Sequence, residues 1–282
     1  MNKNIGLYTN RIKDTDLAVT RKLVSLLTRE GYKVYLHKDI SSVSSGCPTF
    51  DENDGKLFDV LLTVGGDGTI LRIAAYCARL DIPILGINLG TVGFLTEIEL
   101  DSLDIIPKLL SEKEYSSEKR SLLRVSCKDI EYYALNEIVL SRDFSDRMIT
   151  LAAYVDDKLA DKYYCDGFIV STPTGSTAYS LSAGGCVLSP DVKAMAILPI
   201  NSHSLHSRPI IVSDEATVKI HILSAGKSCA VISDGQKICS VEPHDELIVT
   251  TAEKHLTFIR LNHSNFYEKL LSKLNMWSVT PK

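Results

Sequence analysis

Two rhythms of hydrophobic positions divide the chain. In the first hundred residues, short apolar runs alternate with helix-spaced patterns. NIGLYTN (4–10) reads as a buried strand. Residues 15–30 place Val19, Leu23, Leu26 and Leu27 on one helical face, and Gly31 stands where that helix should stop. KVYLH follows as a strand, and the polar stretch SSVSSGCPTFDENDG (41–55) reads as a loop. FDVLLTV (58–64) is apolar without alternation, as expected of a strand covered on both faces. TILRIAAYCARL then reads as a helix and IPILGIN (82–88) as another buried strand. Strand-helix-strand repetition predicts an α/β domain with an open, mostly parallel sheet.

From about residue 115 the rhythm shortens. Segments rich in Val, Ile, Tyr and Thr, such as SLLRVSC, ITLAAYVDDKLADKYY, ATVKIHILS and CAVISDGQKICS, are separated by turn signals. Asp156-Asp157 and Asp234-Gly235 sit where hairpin turns belong. This half is predicted to be predominantly β, a sandwich or layered sheet. SNFYEKLLSKLNMW (264–277) returns to helical spacing, with Ser264 as its expected N-cap. The expected organisation is therefore an α/β domain over 1–114, completed by a returning helix in 263–282, and a β-rich domain over 115–262.

Composition narrows the functional classes. The 282 residues are 23% charged and 45% hydrophobic with a net charge of −4, which is not the basic field that nonspecific nucleic-acid binding requires. The apolar charge-free stretch IPILGINLGTVGFLT carries three glycines and a proline and falls short of the roughly 20 apolar residues that span a bilayer. No secretory signal is visible at MNKNIGLYTN. Seven cysteines without a CxxC pair suggest a reduced, cytoplasmic protein, and the seven histidines show neither HxxxH nor HxH spacing, so no structural zinc site is expected.

Candidate chemistry concentrates in two places. In LLTVGGDGTILR (61–72), Gly65, Gly66 and Gly68 let the backbone turn sharply and present N–H groups to an anion. A helix beginning at about Thr69 would aim its positive end at the same point. Asp67 at the tip would repel a phosphate unless it accepts a proton or holds a metal. The spacing fits neither a P-loop nor a Rossmann fingerprint. In DGFIVSTPTGSTAYSLSAGG (166–185), a strand meets Pro173 and Gly175, and five hydroxyl residues then crowd into one or two helical turns. That density is poor for a helix core but suits a surface that hydrogen-bonds a polar ligand while Tyr179 stacks on it. Asn136, in LNEIVLSR, offers the donor-acceptor pair that an adenine edge asks for, although an Asn before a strand is more often a turn residue.

GGDGT, the Asn136-Glu137 pair and STPTGSTAYSLSAGG, in this order, resemble the NAD kinase family of bacterial type, and the resemblance covers essentially the whole chain. It implies an enzyme that moves the terminal phosphoryl group of ATP, with polyphosphate the other candidate donor, to the adenosine 2′-hydroxyl of NAD. Asp67 would activate that hydroxyl. Gly65, Gly66, Gly68 and Thr69 would hold phosphates. Phe94, Asn136, Glu137, Asp166, Thr177, Ala178, Tyr179, Ser182 and Gln236 would contact the dinucleotide, as would Gly68. The resemblance also implies Mg²⁺ arriving with ATP, no tightly bound prosthetic group, and a homo-oligomer, dimer or tetramer. Three departures stand out: Cys165 in place of Gly, Cys186 in place of Pro, and Asn201-Ser202 in the segment PINSHSL. Two other readings fit the GGDGT turn: a lipid kinase, for which the hydroxyl-rich segment is ill suited, and a dinucleotide sensor without catalysis.

Overall fold

The structure is a computed structural model that describes residues 4–90, 93–128, 130–143, 147–226, 228–261 and 266–277. The expected cap at Ser264 lies outside these residues. The chain divides into two compact units, Met1–Lys119 with Leu256–Lys282, and Arg120–His255.

The first unit contains β1 (Asn4–Thr9), α1 (Ala18–Arg29), β2 (Lys33–His37), β3 (Thr49–Phe50), β4 (Val60–Gly65), α2 (Asp67–Arg79), β5 (Ile84–Asn88) and α3 (Ile106–Glu112). Its strands are parallel and ordered β5-β4-β1-β2-β3. The continuous apolar runs follow from burial on both faces. Leu7, Leu62 and Val64 share one cluster with Leu23 and Leu27 of α1 and with Ile106 and Leu109 of α3. On the opposite face, Phe50, Phe58 and Tyr76 of α2 form an aromatic group with centroids 4.6–6.4 Å apart. Gly6 is small because a Cβ there would lie 2.6 Å from the Phe58 ring. The stretch read as a loop over 41–55 holds more structure than its polar composition suggests: a 3₁₀ turn ends at Val43, and β3 hydrogen-bonds to β2.

β6 (Ser116–Cys127) carries the chain into the second unit. There follow β7 (Ile130–Ala134), β8 (Glu137–Arg142), β9 (Ile149–Val155), β10 (Lys158–Cys165), β11 (Gly167–Ser171), α4 (Tyr179–Ser182), β12 (Ala194–Ile200), β13 (Ile210–Ser213), β14 (Val218–Ser224), β15 (Cys229–Ser233) and β16 (Gln236–Val241). The chain then returns through β17 (Glu246–Arg260), which ends in the first unit beside β5, and closes with α5 (Phe266–Trp277).

One antiparallel layer of the second unit runs β10-β9-β14-β17 and the other β13-β12-β11-β8-β15-β16. Alternating inward residues from both layers, among them Leu151, Ile220, Phe168, Ile197 and Val231, fill one core, so the unit is a sandwich. Both expected hairpin turns form. Asp156 and Asp157 (φ 48° and 63°) and Asp234 and Gly235 (φ 46° and 81°) take the left-handed conformations that a two-residue hairpin needs. Among the described residues, no helix is long and apolar enough to cross a membrane.

Candidate active site

The chain order places the GGDGT turn where open α/β sheets bind ligands. β1 lies between β2 and β4, so successive connections diverge at the β1–β4 pair, and both strands end in loops there. The Asn10 N–H donates to the Val64 carbonyl (2.9 Å) and ties the two loops together.

Helix α2 begins at Asp67, earlier than the expected Thr69, because Gly66 serves as the N-cap. The Gly66 N–H donates to Thr69 Oγ1 (3.2 Å), and the Thr69 N–H donates back to the Gly66 carbonyl (2.9 Å). Thr69 is therefore buried and its hydroxyl braces the turn. A Cβ on Gly65 would lie 2.1 Å from that hydroxyl, and one on Gly66 would lie 2.9 Å from Lys13 Nζ. Gly68 faces open space. By helix geometry, the N–H groups of Asp67 and Gly68 have no partner inside the helix.

The Asp67 carboxylate is held from both sides. Its Oδ2 accepts the Phe94 N–H (2.8 Å) and its Oδ1 the Leu95 N–H (3.1 Å). Lys273 Nζ of α5 lies 4.0 Å from Oδ2 and 4.8 Å from the centroid of the Phe94 ring. Gly93 makes this fit possible, since a Cβ there would lie 2.0 Å from Asp67 Oδ1. Gly93→Ala must therefore displace the carboxylate. A displacement of about 1 Å at a reacting group costs on the order of a hundredfold in rate, and kcat should fall by about that much with the melting temperature little changed. Steady-state kinetics showing an unaltered kcat in this variant would mean that the carboxylate's placement does not matter.

The second unit gathers most of the other predicted residues. Glu137 opens β8 with Asn136 immediately before it, and Asp234 of the β15–β16 turn clasps both. Its carboxylate accepts the N–H groups of Leu135 (2.7 Å), Asn136 (2.8 Å) and Glu137 (3.1 Å). Gly175 packs so closely that a Cβ would lie 2.1 Å from the Asn136 carbonyl oxygen. Thr172 adds a bond from its N–H to that carbonyl (2.9 Å) and one from its hydroxyl to the Leu135 carbonyl (2.6 Å).

The hydroxyls of 171–182 therefore split into two sets, a division the sequence pattern did not anticipate. Ser171, Thr172, Thr174, Ser176 and Ser180 turn inward, whereas Thr177, Tyr179 and Ser182 stay accessible, as does Ala178 among them. Ser176 Oγ donates to the Pro173 carbonyl (2.6 Å) and accepts the Leu188 N–H (2.9 Å), so it fixes the loop's return. Gln236, exposed at the start of β16, follows the Asp234-Gly235 turn.

Glu137 is 7% exposed, and its Oε2 has no hydrogen-bond partner. Burial, reinforced by the Asp234 charge, pushes its carboxyl up to about 8. Burial also raises Asp234, but three N–H donors oppose that shift, so Glu137 is the member of the pair that keeps the proton. With an ordinary value of 4.5 when unfolded, Glu137 binds more protons folded than unfolded up to about pH 8. Its contribution to stability is whole below pH 4.5 and is lost as pH rises through about 8. Glu137→Gln, which mimics the neutral form, should flatten the wild-type decline in urea midpoint across that window; an equally steep decline in the variant would contradict the assignment.

Asp166 lies between two donors, Arg142 Nε (2.6 Å) and Asn201 Nδ2 (3.1 Å). The Arg142 guanidinium, then the Asn201 amide, hold its carboxyl below the usual range. Asn201, one of the departures noted in the sequence, thus has a defined partner. Cys165 is buried and Cys186 exposed. Sequence reasoning missed Arg142, Lys13 and Lys273, because nothing in their local spacing separates them from surface cations.

Comparisons with known proteins identify the family. The family model for the ATP-NAD kinase N-terminal domain matches residues 5–115, and that for the ATP-NAD kinase C-terminal domain matches 135–261. The chain is 38% identical to the NAD kinase of Caldanaerobacter subterraneus subsp. tengcongensis, over 96% of this chain and 99% of the relative. It is 41% identical to the NAD kinase of Methanothermobacter thermautotrophicus over 77% of this chain and 76% of that one. Among solved structures, an Archaeoglobus fulgidus NAD kinase in complex with ATP superposes with a TM-score of 0.75 at 31% identity, covering 96% of this chain and 98% of that one. The fold is also that of a yeast NADH kinase complexed with NADH, with a TM-score of 0.87 at 24% identity over 100% of this chain and 89% of that one. On the strength of both domain models and these relatives, the chain belongs to the NAD kinase family.

Proposed function

We infer that the protein transfers the terminal phosphoryl group of ATP to the 2′-hydroxyl of the adenosine ribose of NAD, forming NADP. The observation that carries this reading is Asp67: an oriented carboxylate at a helix N-terminus, on the carboxyl edge of a parallel sheet, in a chain of this family. Phosphoryl transfer asks little covalent chemistry of a protein; it asks for positioning and for neutralisation of charge. Asp67 would align the ribose hydroxyl and accept its proton late in the transfer. The N–H groups of the α2 first turn, with Gly66 and Gly68 leaving the approach open, would receive the donor's phosphates.

In the second unit, Asn136, Asp166, Thr177, Ala178, Tyr179, Ser182 and Gln236 would hold the dinucleotide. The unpartnered Oε2 of Glu137 is a ready partner for a ligand hydroxyl or amide. Phe94 would line the adenine pocket as well as orienting Asp67. Among the described residues, no cluster of three or more His, Cys, Asp or Glu forms a metal cage. Mg²⁺ would arrive with ATP and neutralise charge on the transferring group. A cytoplasmic homo-oligomer, dimer or tetramer, completes the reading. Phosphorus NMR of the product tests it: a 2′-phosphomonoester on the adenosine ribose is expected, and a phosphate elsewhere, or none, would overturn it.

A further inference from the structure

We propose that Lys273 offsets the charge of Asp67, so that the donor's phosphates can approach the turn; the inference rests on the reading of that turn as the phosphoryl-transfer site. A carboxylate at the mouth of an anion-binding turn poses an electrostatic problem. Asp67 must stay ionised to accept a proton, yet as an anion it repels every phosphate brought beside it. Two backbone N–H groups orient the carboxylate, but they add only partial charges.

Lys13 Nζ lies on the Gly66 side of the turn; beside the carboxylate itself a full positive charge comes from α5, whose placement is fixed one turn earlier. Lys269 Nζ donates to the Thr96 carbonyl and to Glu97, each at 3.0 Å. Glu97, with its side chain 3% exposed, also accepts from Arg260 (3.1 Å) and from the Leu261 N–H (2.9 Å). Four residues beyond Lys269, the next cation on the same helical face is Lys273. Its ammonium sits over the Phe94 ring and 4.0 Å from Asp67 Oδ2, with the two side chains 20% and 28% exposed. At that separation it is not bound into a tight bridge, so it can screen the carboxylate while leaving its oxygens available. Lys273 is thus a positioning residue that acts through Asp67.

The test is equilibrium binding of ATP with Mg²⁺ to wild type and to Lys273→Met, which keeps the packing on Phe94 and removes the charge, with both repeated in an Asp67→Asn background. In the wild-type background the loss of charge should weaken ATP binding about three- to tenfold and leave NAD binding within about twofold, given the partial exposure of the pair. Lys273→Arg should restore ATP binding. Because the two charges act additively on the phosphates, Asp67→Asn alone should tighten ATP binding, and adding Lys273→Met should return it to within about twofold of wild type. A double variant that binds ATP far more weakly than wild type would overturn the proposal, because the lysine would then do more than offset Asp67 and would meet the phosphates directly. No loss in the wild-type background would overturn it too. Lys273→Gln serves in the same cycle if Lys273→Met does not fold. NADP formation by wild type is scored separately, so failure of this inference and failure of the kinase reading give different results.

Discussion

Replacing Asp67 by Asn should lower kcat for NADP formation by about 10²–10⁴ while NAD binding stays within a few fold. The amide is nearly isosteric. It can still accept the Leu95 N–H through one oxygen, but it turns an NH₂ group toward the Phe94 N–H and cannot take the ribose proton. Most residues proposed to hold NAD lie in the second unit, which the substitution does not touch, and the near-isosteric amide leaves the Phe94 ring and Gly68 in place. A folded variant that loses binding and turnover equally would show that Asp67 serves to bind substrate and does not act in the transfer step.

The largest effect on stability is expected at Asp234. This carboxylate alone satisfies three backbone N–H groups at the start of β8, which a methyl group cannot do. Asp234→Ala should cost the second unit about 3–5 kcal/mol, through buried donors left unpaired. Asp234→Asn should cost less, because its carbonyl oxygen can still accept from Asn136 and Glu137 while its amide faces only the Leu135 N–H. Urea unfolding of both variants checks the order. A loss below about 1 kcal/mol for the Ala variant would mean that water or a rearranged turn replaces the carboxylate.

The contrast between these two aspartates shows what the sequence could reveal. Asp67 was legible because its signal is local: glycines on either side, an apolar strand before it and a helix pattern after it. The α/β rhythm and the sandwich were legible for the same reason, since a period of 3.6 or 2 is written into consecutive residues. The support for Asn136 and Glu137 was not legible, because the carboxylate that clasps them lies 97–99 residues away in sequence. Asp234-Gly235 announced only a hairpin.

The hydroxyl-rich segment was legible as a site but not in its division of labour. Which hydroxyls face inward depends on Gly175 meeting the Asn136 backbone, a contact no local pattern encodes. Lys273 was hidden more deeply. Within YEKLLSKL it reads as one of several cations on a solvated helix face, and only the return of β17 beside β5 brings α5 to Asp67.

The most direct measurement of the central claim couples the purified protein, NAD, Mg²⁺ and ATP to an NADP-specific dehydrogenase and follows the reduced product. The account predicts steady formation of NADP that depends on ATP and on NAD. A folded protein that binds NAD but makes no NADP, with ATP or with polyphosphate as donor, would contradict it and favour a dinucleotide sensor.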